Sequence, residues 1–164
     1  MCVINIISNL SKGKTGLNYP SKSTIESMAL ENPHGNSITY FDEIKQKIVY
    51  HKAITLKQLH KHLAYCKKNN YKTILHHRIA SVGSHEGIIG KSLNHPFKII
   101  NGNQNDLTDI TNNDILIHNG TLDLKELQEI AIKILLNDKK AQYPKGELSD
   151  TKLLSWILSH VNYS

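Results

Sequence analysis

Polar residues that could carry out chemistry occur in six short clusters along the chain. A cysteine stands at position 2, and the later clusters combine histidine, asparagine, glycine, arginine or aspartate. Cysteine thiolates are nucleophiles. Several of the clusters lie at predicted strand ends or turns, where catalytic residues usually lie. The clusters are Met1-Cys2, Asn32-Pro33-His34-Gly35, His76-His77-Arg78-Ile79-Ala80-Ser81-Val82-Gly83, Asn94-His95-Pro96-Phe97, His118-Asn119-Gly120 and Ser149-Asp150-Thr151.

Four of the clusters also have a structural interpretation. Arg78 lies in an otherwise apolar segment, where a protein carboxylate would satisfy its charge as well as a ligand carboxylate would. Asn119-Gly120 is a common hairpin-turn dipeptide, and Ser149 before an apolar helical repeat is a typical N-cap. Asn94-His95-Pro96 fits a turn before a strand. Taken one at a time, the clusters favour structure over function.

The positive charge of the chain suggests nucleic-acid binding, but its composition argues against that function. The formal net charge is +6, yet Arg78 is the only arginine among 20 basic residues and aromatic residues make up only 6% of the chain. Specific recognition of bases and phosphates uses the bidentate arginine fork, and binding of single strands uses aromatic stacking. We therefore expect no nucleic-acid partner. A lone arginine among lysines is a candidate for a role, such as bidentate binding, that a lysine side chain performs poorly.

Composition also bounds the class of protein. The 164 residues, 39% of them apolar, suffice for one domain with its own core, and we expect a single domain over 1–164. No apolar run approaches the length of a membrane span, and residues 1–14 lack the basic start of a secretory leader. Two cysteines, Cys2 and Cys66, are too few for a disulfide framework. We expect a cytoplasmic protein with no membrane association.

Two other site types fit the sequence less well. Gly13-Lys14-Thr15 ends like a phosphate-binding loop, but Ser8 stands where that loop needs its first glycine. A zinc site could draw on Cys66 and on the histidines of two segments. However, His60 and His62 point in different directions on a helix, and no Cys-x-x-Cys pair is present. We therefore expect no metal.

Apolar periodicity predicts an α+β fold. A helix through residue 68 begins at Thr55, which has a capping-box spacing to Gln58. Apolar stripes from Leu124 to Leu135 and from Leu153 to Val161 predict two further helices. Residues 82–90 are rich in turn-forming types, and 101–114 is predicted to be an exposed loop. Strands are predicted at 2–8, 36–42, 44–51, 73–81, 96–101 and 114–118.

Taken in order, the six clusters resemble the class II glutamine amidotransferase domain, a glutaminase domain of the N-terminal-nucleophile hydrolases. The resemblance covers residues 2 to about 158. It implies a four-layer αββα sandwich of two antiparallel sheets with helices on both outer faces. It also implies that Met1 is removed and that Cys2 becomes the N-terminal nucleophile. The freed α-amine, with a reference pKa of about 7.7–8.0, would then act as the general base.

The resemblance further implies roles for the other clusters. Asn119 and Gly120 correspond to the oxyanion donors, and Arg78 corresponds to the arginine that grips the glutamine α-carboxylate. Asp150 corresponds to the acidic residue that pairs with the α-ammonium group, and Ala80 and Ser81 would line the same pocket. His95 falls in the family's Asn-His-Pro turn. The implied reaction forms a γ-glutamyl thioester, releases ammonia and then glutamate, and needs no cofactor.

The implied partners are glutamine and a separate ammonia-accepting synthase. Val3, His34 and Ser37 depart from the family pattern, which has glycine after the cysteine and an Asn-x-Asp-Gly-x-Gly run. These departures leave two alternatives open: hydrolysis of another γ-glutamyl amide on the same fold, and a catalytically silent binding module.

Overall fold

The computed structural model describes residues 2–8, 17–79 and 90–161. These ranges contain seven strands, four α-helices and a short 3-10 turn at Lys91–Leu93. The helices are α1 (Lys22–Glu31), α2 (Leu56–Lys68), α3 (Leu124–Asn137) and α4 (Asp150–Leu158). The strands are β1 (Val3–Ile7), β2 (Gly35–Asp42), β3 (Lys47–Ile54), β4 (Thr73–Arg78), β5 (Phe97–Lys98), β6 (Thr108–Thr111) and β7 (Ile115–Leu116).

Five strands form one antiparallel sheet in the order β1-β4-β2-β3-β6. The chain thus brings its first strand beside β4, where Val3 pairs with His77. On the other side of β4, Gly35 of β2 pairs with Arg78. The sheet therefore places the start of β1, the end of β4 and the start of β2 at one end.

Helices α1 and α2 pack against this sheet through an apolar core. Thr55 caps α2 in the predicted capping box with Gln58, so local chemistry sets where the helix begins. Alternation along the strands sends one set of apolar side chains toward the helices. The buried core is made of Ile7, Ile25, Ile38, Tyr40, Val49, Leu59, Leu63, Cys66, Tyr71 and Leu75.

The second half of the chain builds a separate core. Strands β5 and β7 form a two-stranded antiparallel sheet, and α4 contacts both strands. Helices α3 and α4 pack on each other around Leu127, Ala131 and Trp156. The His95–Pro96 peptide bond before β5 is cis.

The predicted α+β class is confirmed, and the finer four-layer arrangement stays a prediction. The 36–42 and 44–51 strands form the predicted hairpin, although its second strand runs from Lys47 to Ile54. The strands predicted at 96–101 and 114–118 are only two residues long each. Val161 lies beyond α4 and is 48% exposed, so the predicted stripe ends earlier.

Two predictions for loops need separate comment. The interpretation of 101–114 as a loop is wrong at Thr108–Thr111, which pairs with β3 as an edge strand. Its polar residues suit an edge that faces solvent, so its composition resembles that of a loop. The end of the predicted 73–81 strand and most of the 82–90 turn lie outside the described residues. No helix in the described ranges combines the length and apolar character that a bilayer span requires.

Candidate active site

Cys2 lies at the end of the large sheet where β1 begins. Since Val3 pairs with His77 in antiparallel register, the preceding residue comes opposite Arg78. The Cys2 thiol donates to the backbone carbonyl of Ile79 with an Sγ–O distance of 3.6 Å. The side chain is partly exposed and the thiol is free. A thiol in this position is held by the sheet and is still partly accessible.

Asn119 reaches Cys2 from a loop that is distant in sequence. It follows β7, and its Nδ2 donates to the backbone carbonyl of Cys2 at 2.8 Å, across 117 positions of the chain. A carboxamide nitrogen carries a second N–H, and the first bond holds that nitrogen beside the backbone of Cys2. The predicted oxyanion donor and the predicted nucleophile are therefore in direct contact.

Gly120 has a backbone conformation that suits glycine. Its φ is +147°, and a Cβ at this position would lie 3.1 Å from Nε2 of His118. The loop therefore closes tightly on the histidine that precedes Asn119. Glycine also leaves the backbone N–H accessible to an incoming group.

Arg78 is anchored by a carbonyl rather than by a protein carboxylate. Its NH1 donates to the backbone carbonyl of Leu93, and within the described ranges it makes no salt bridge. Burial lowers the pKa of the guanidinium, while the charges of Cys2 and Asp150 act in the opposite direction. The structural ion pair considered for Arg78 is not found among the described residues.

Asp150 is the first residue of α4, directly after the N-cap Ser149. Its Oδ2 accepts from the backbone N–H of Leu122 at 2.8 Å, and its Oδ1 accepts from the backbone N–H of Thr151 at 2.7 Å. The carboxylate is only partly buried. It fixes the loop after Gly120 and keeps free acceptor capacity for a cation, because a carboxylate can accept about four hydrogen bonds.

His118 and Thr151 make contacts within the candidate site, although the sequence suggested no role for either residue. Nδ1 of His118 lies 3.3 Å from the hydroxyl of Thr151, and that hydroxyl donates to Oδ1 of Asp150 at 3.2 Å. The only signal in the sequence is that each residue adjoins a predicted site residue. The backbone carbonyl of Leu93, which holds Arg78, gives no signal in the sequence at all.

The segment before β5 packs closely against this end of the sheet. A Cβ at Gly35, where φ is +157°, would lie 1.8 Å from Oδ1 of Asn94. Glycine is therefore needed at Gly35 to let the Asn94 side chain approach. The adjacent His95 is buried, and its ring lies 4.4 Å from that of His76 on β4. These contacts give the Asn32–Gly35 and Asn94–Phe97 clusters a structural role beside Arg78.

Two of the predicted pocket residues, Ala80 and Ser81, lie outside the described residues. Two surface clefts of about 520 Å³ each are found elsewhere. One lies between α3 and α4 and includes Ile134 and His160, and the other lies between α1 and α2 and includes Glu26 and His60. Neither cleft includes a predicted site residue.

The residues of the zinc alternative are dispersed. The ring of His62 stacks on that of His51, with centroids 3.9 Å apart, and Nε2 of His60 lies 3.7 Å from Glu26. Cys66 is buried in the apolar core of α2. Within the described ranges, no three histidine, cysteine, aspartate or glutamate side chains are placed to hold a metal ion.

The thiol before β1 and the guanidinium at the end of β4 lie at one end of the sheet. The amide of Asn119 contacts the backbone of Cys2, and the carboxylate at the start of α4 holds the loop that carries this amide. A nucleophile beside an amide donor can attack a carbonyl, while a cation and an anion nearby can orient a zwitterion. Comparisons with protein-family models, curated proteins and solved structures find no match for this chain.

Proposed function

We propose that the protein hydrolyses the side-chain amide of glutamine, with Cys2 as an N-terminal nucleophile. The observation that carries this proposal is the 2.8 Å contact between Nδ2 of Asn119 and the backbone of Cys2. It brings the side chain of the proposed oxyanion donor to the backbone of a residue whose thiol is partly exposed. The order of the clusters, which resembles that of class II glutamine amidotransferases, supplies the choice of substrate.

The proposed reaction begins once Cys2 carries a free α-amine. The amine accepts the thiol proton, and the thiolate attacks Cδ of glutamine. The second N–H of Asn119 and the backbone N–H of Gly120 stabilise the resulting oxyanion. The intermediate collapses to a γ-glutamyl thioester as the leaving nitrogen takes the proton and departs as ammonia. Water then attacks the thioester, which releases glutamate and regenerates the thiol.

Arg78 and Asp150 select the amino-acid end of the substrate in this proposal. The carbonyl of Leu93 occupies one N–H of the guanidinium, which leaves further donors for a bidentate pair with the α-carboxylate. Asp150 binds the α-ammonium group through the carboxylate lone pairs that its own hydrogen bonds do not use. The charges of both residues match a zwitterionic substrate.

The proposal includes the finer fold and the setting of the activity. The α1/α2 side and the α3/α4 side would form the outer layers of a four-layer αββα sandwich around the two sheets. Both described cysteines are free thiols, which suits a reducing cytoplasm. The ammonia would pass to a separate synthase, and no cofactor takes part.

Labelling with the glutamine analogue diazo-oxo-norleucine tests the proposal. We expect intact-mass analysis to show loss of Met1, and the analogue to modify Cys2 once and block ammonia release from glutamine. Cys2→Ala should abolish both labelling and hydrolysis. Cys66→Ala is the matched control, because it removes the buried thiol and should keep both.

Three outcomes would overturn the proposal. Retention of Met1 in the native protein, or a free Cys2 amine with no labelling, favours a silent binding module. If the protein releases amine from another γ-glutamyl amide faster than it releases ammonia from glutamine, that amide is the substrate and glutamine is not.

A further inference from the structure

Thr151 connects the start of α4 to the loop that contains Asn119 and Gly120. Its hydroxyl donates to Oδ1 of Asp150 at 3.2 Å and lies 3.3 Å from Nδ1 of His118. The side chain is almost fully buried, with 2% exposure. One hydroxyl therefore bridges the carboxylate at the start of α4 and the histidine that precedes the oxyanion donors.

The number of available protons determines which group donates each hydrogen bond of this bridge. A hydroxyl has a single proton, and Thr151 gives it to the Asp150 carboxylate, the stronger acceptor. Nδ1 of His118 must then donate to the hydroxyl oxygen. This fixes the ring orientation and leaves Nε2 directed at Gly120, where a Cβ would be only 3.1 Å away.

A second bond ties the same loop to the same helix. The backbone N–H of Leu122 donates to Oδ2 of Asp150 at 2.8 Å. The His118–Leu122 segment is thus held by the start of α4 on both sides of Asn119 and Gly120. Movement of Asp150 or rotation of His118 would displace the oxyanion donors relative to Cys2.

We propose that Thr151 is a positioning residue that couples Asp150 to the oxyanion loop through His118. The inference rests on the proposed function and adds a specific role to it. Contact of the substrate ammonium group with Asp150 would be transmitted through the Thr151 hydroxyl to the loop that stabilises the oxyanion. Thr151 itself touches neither the substrate nor the reacting atoms.

The test compares kcat, KM and thermal stability for Thr151→Val, which keeps the shape and removes the hydroxyl. We expect kcat for glutamine to fall about tenfold, a partial loss of one oxyanion donor's effect. KM should change much less than kcat. Thr151→Ser keeps the hydroxyl and should restore most of kcat.

A matched control separates positioning from stability. Thr111→Val also removes a buried hydroxyl, one that accepts two bonds from Asn113. It lies on β6, at the sheet edge opposite β1. We expect Thr111→Val to lower the melting temperature and to leave kcat unchanged.

A double variant provides the sharper readout. His118→Leu, at a half-exposed position, should lower kcat by a similar factor. If the two residues act through one bridge, Thr151→Val with His118→Leu loses little more than either single variant. His118→Leu also keeps the test decisive if Thr151→Val does not fold.

The outcomes distinguish this inference from the proposed function. A wild-type protein that does not hydrolyse glutamine overturns the function, and the positioning role with it. An active wild type together with a fully active Thr151→Val overturns the positioning role alone. Multiplicative losses in the double variant would also overturn the coupling, because independent sites give additive free energies.

Discussion

Asn119 joins the loop after β7 to the start of the large sheet by a side-chain hydrogen bond. Its Nδ2 holds the backbone carbonyl of Cys2, and in the proposed reaction its second N–H stabilises the oxyanion. An oxygen at the same position would accept hydrogen bonds and could do neither. The residue is exposed, so we expect its contribution to folding to be small.

Asn119→Asp is therefore expected to lower kcat for glutamine about 10²- to 10³-fold, the usual effect of losing one oxyanion donor. KM should stay close to the wild-type value, because the donor acts in the transition state. Steady-state ammonia release measures both constants. Lys125→Met, on an exposed face of α3, is the control and should leave both unchanged. A normal kcat for Asn119→Asp would contradict the assigned role.

Substitution of Arg78 tests whether substrate binding depends on the shape of the cation as well as on its charge. Arg78→Lys keeps the positive charge but loses the planar fork that pairs with a carboxylate. We expect KM for glutamine to rise at least about tenfold, which corresponds to loss of about one charge-assisted hydrogen bond. Labelling of Cys2 by a small electrophile that lacks an α-carboxylate should continue. Equal KM values for the two proteins would show that Arg78 does not bind the substrate.

Helix α4 is held at its start by a buried ammonium group. Lys152 is fully buried, and its Nζ donates to Oδ1 of Asn105 at 2.7 Å and to the carbonyls of Lys145 and Glu147 at 2.8 Å each. Burial lowers the pKa of this ammonium group, and the charge of Glu147 opposes that shift. The three acceptors connect α4 to the 145–147 segment and to Asn105.

Lys152→Met is expected to lower the free energy of unfolding by about 3 kcal/mol, because three buried acceptors lose a charged donor. Urea denaturation measures the loss. Lys133→Met, at an exposed position of α3, is the matched control and should change it by less than about 0.5 kcal/mol. An unchanged midpoint for Lys152→Met would show that this contact does not stabilise α4.

At the scale of the whole molecule, the region around β4 contains three buried histidines. His76, His77 and His95 are all nearly fully buried. Burial lowers the pKa values of His76 and His77 to about 4, and burial together with His76 lowers that of His95 to about 2. In the unfolded chain the same groups have a pKa near 6.5.

This difference makes stability depend on pH. As pH falls from about 6.5 toward 4, the unfolded chain takes up protons that the folded chain does not, so folding loses free energy. We expect a loss of about 2 kcal/mol per buried histidine between pH 7.5 and pH 5, measured by urea denaturation. Replacing His76 with glutamine should reduce this dependence. A constant free energy of unfolding over that range would contradict the prediction.

Local chemistry made several elements predictable. The hydroxyls of Thr55 and Ser149 accept backbone N–H groups three residues ahead, so neighbouring residues indicate where α2 and α4 begin. Helix α1 was not predicted, because Ile25 is its only buried residue and its apolar pattern is weak. Strand β6 was misread for a related reason: pairing with β3 defines it, and its composition does not.

Sequence patterns were enough to predict the α+β class, the element starts that depend on nearby residues, and a set of chemically suited side chains. Which of these side chains meet follows from the three-dimensional fold. Asn119 contacts Cys2 across 117 positions, and Arg78 is held by a backbone carbonyl that any residue at position 93 would supply. Contacts of this kind depend on sheet order and loop closure, which local propensities do not encode.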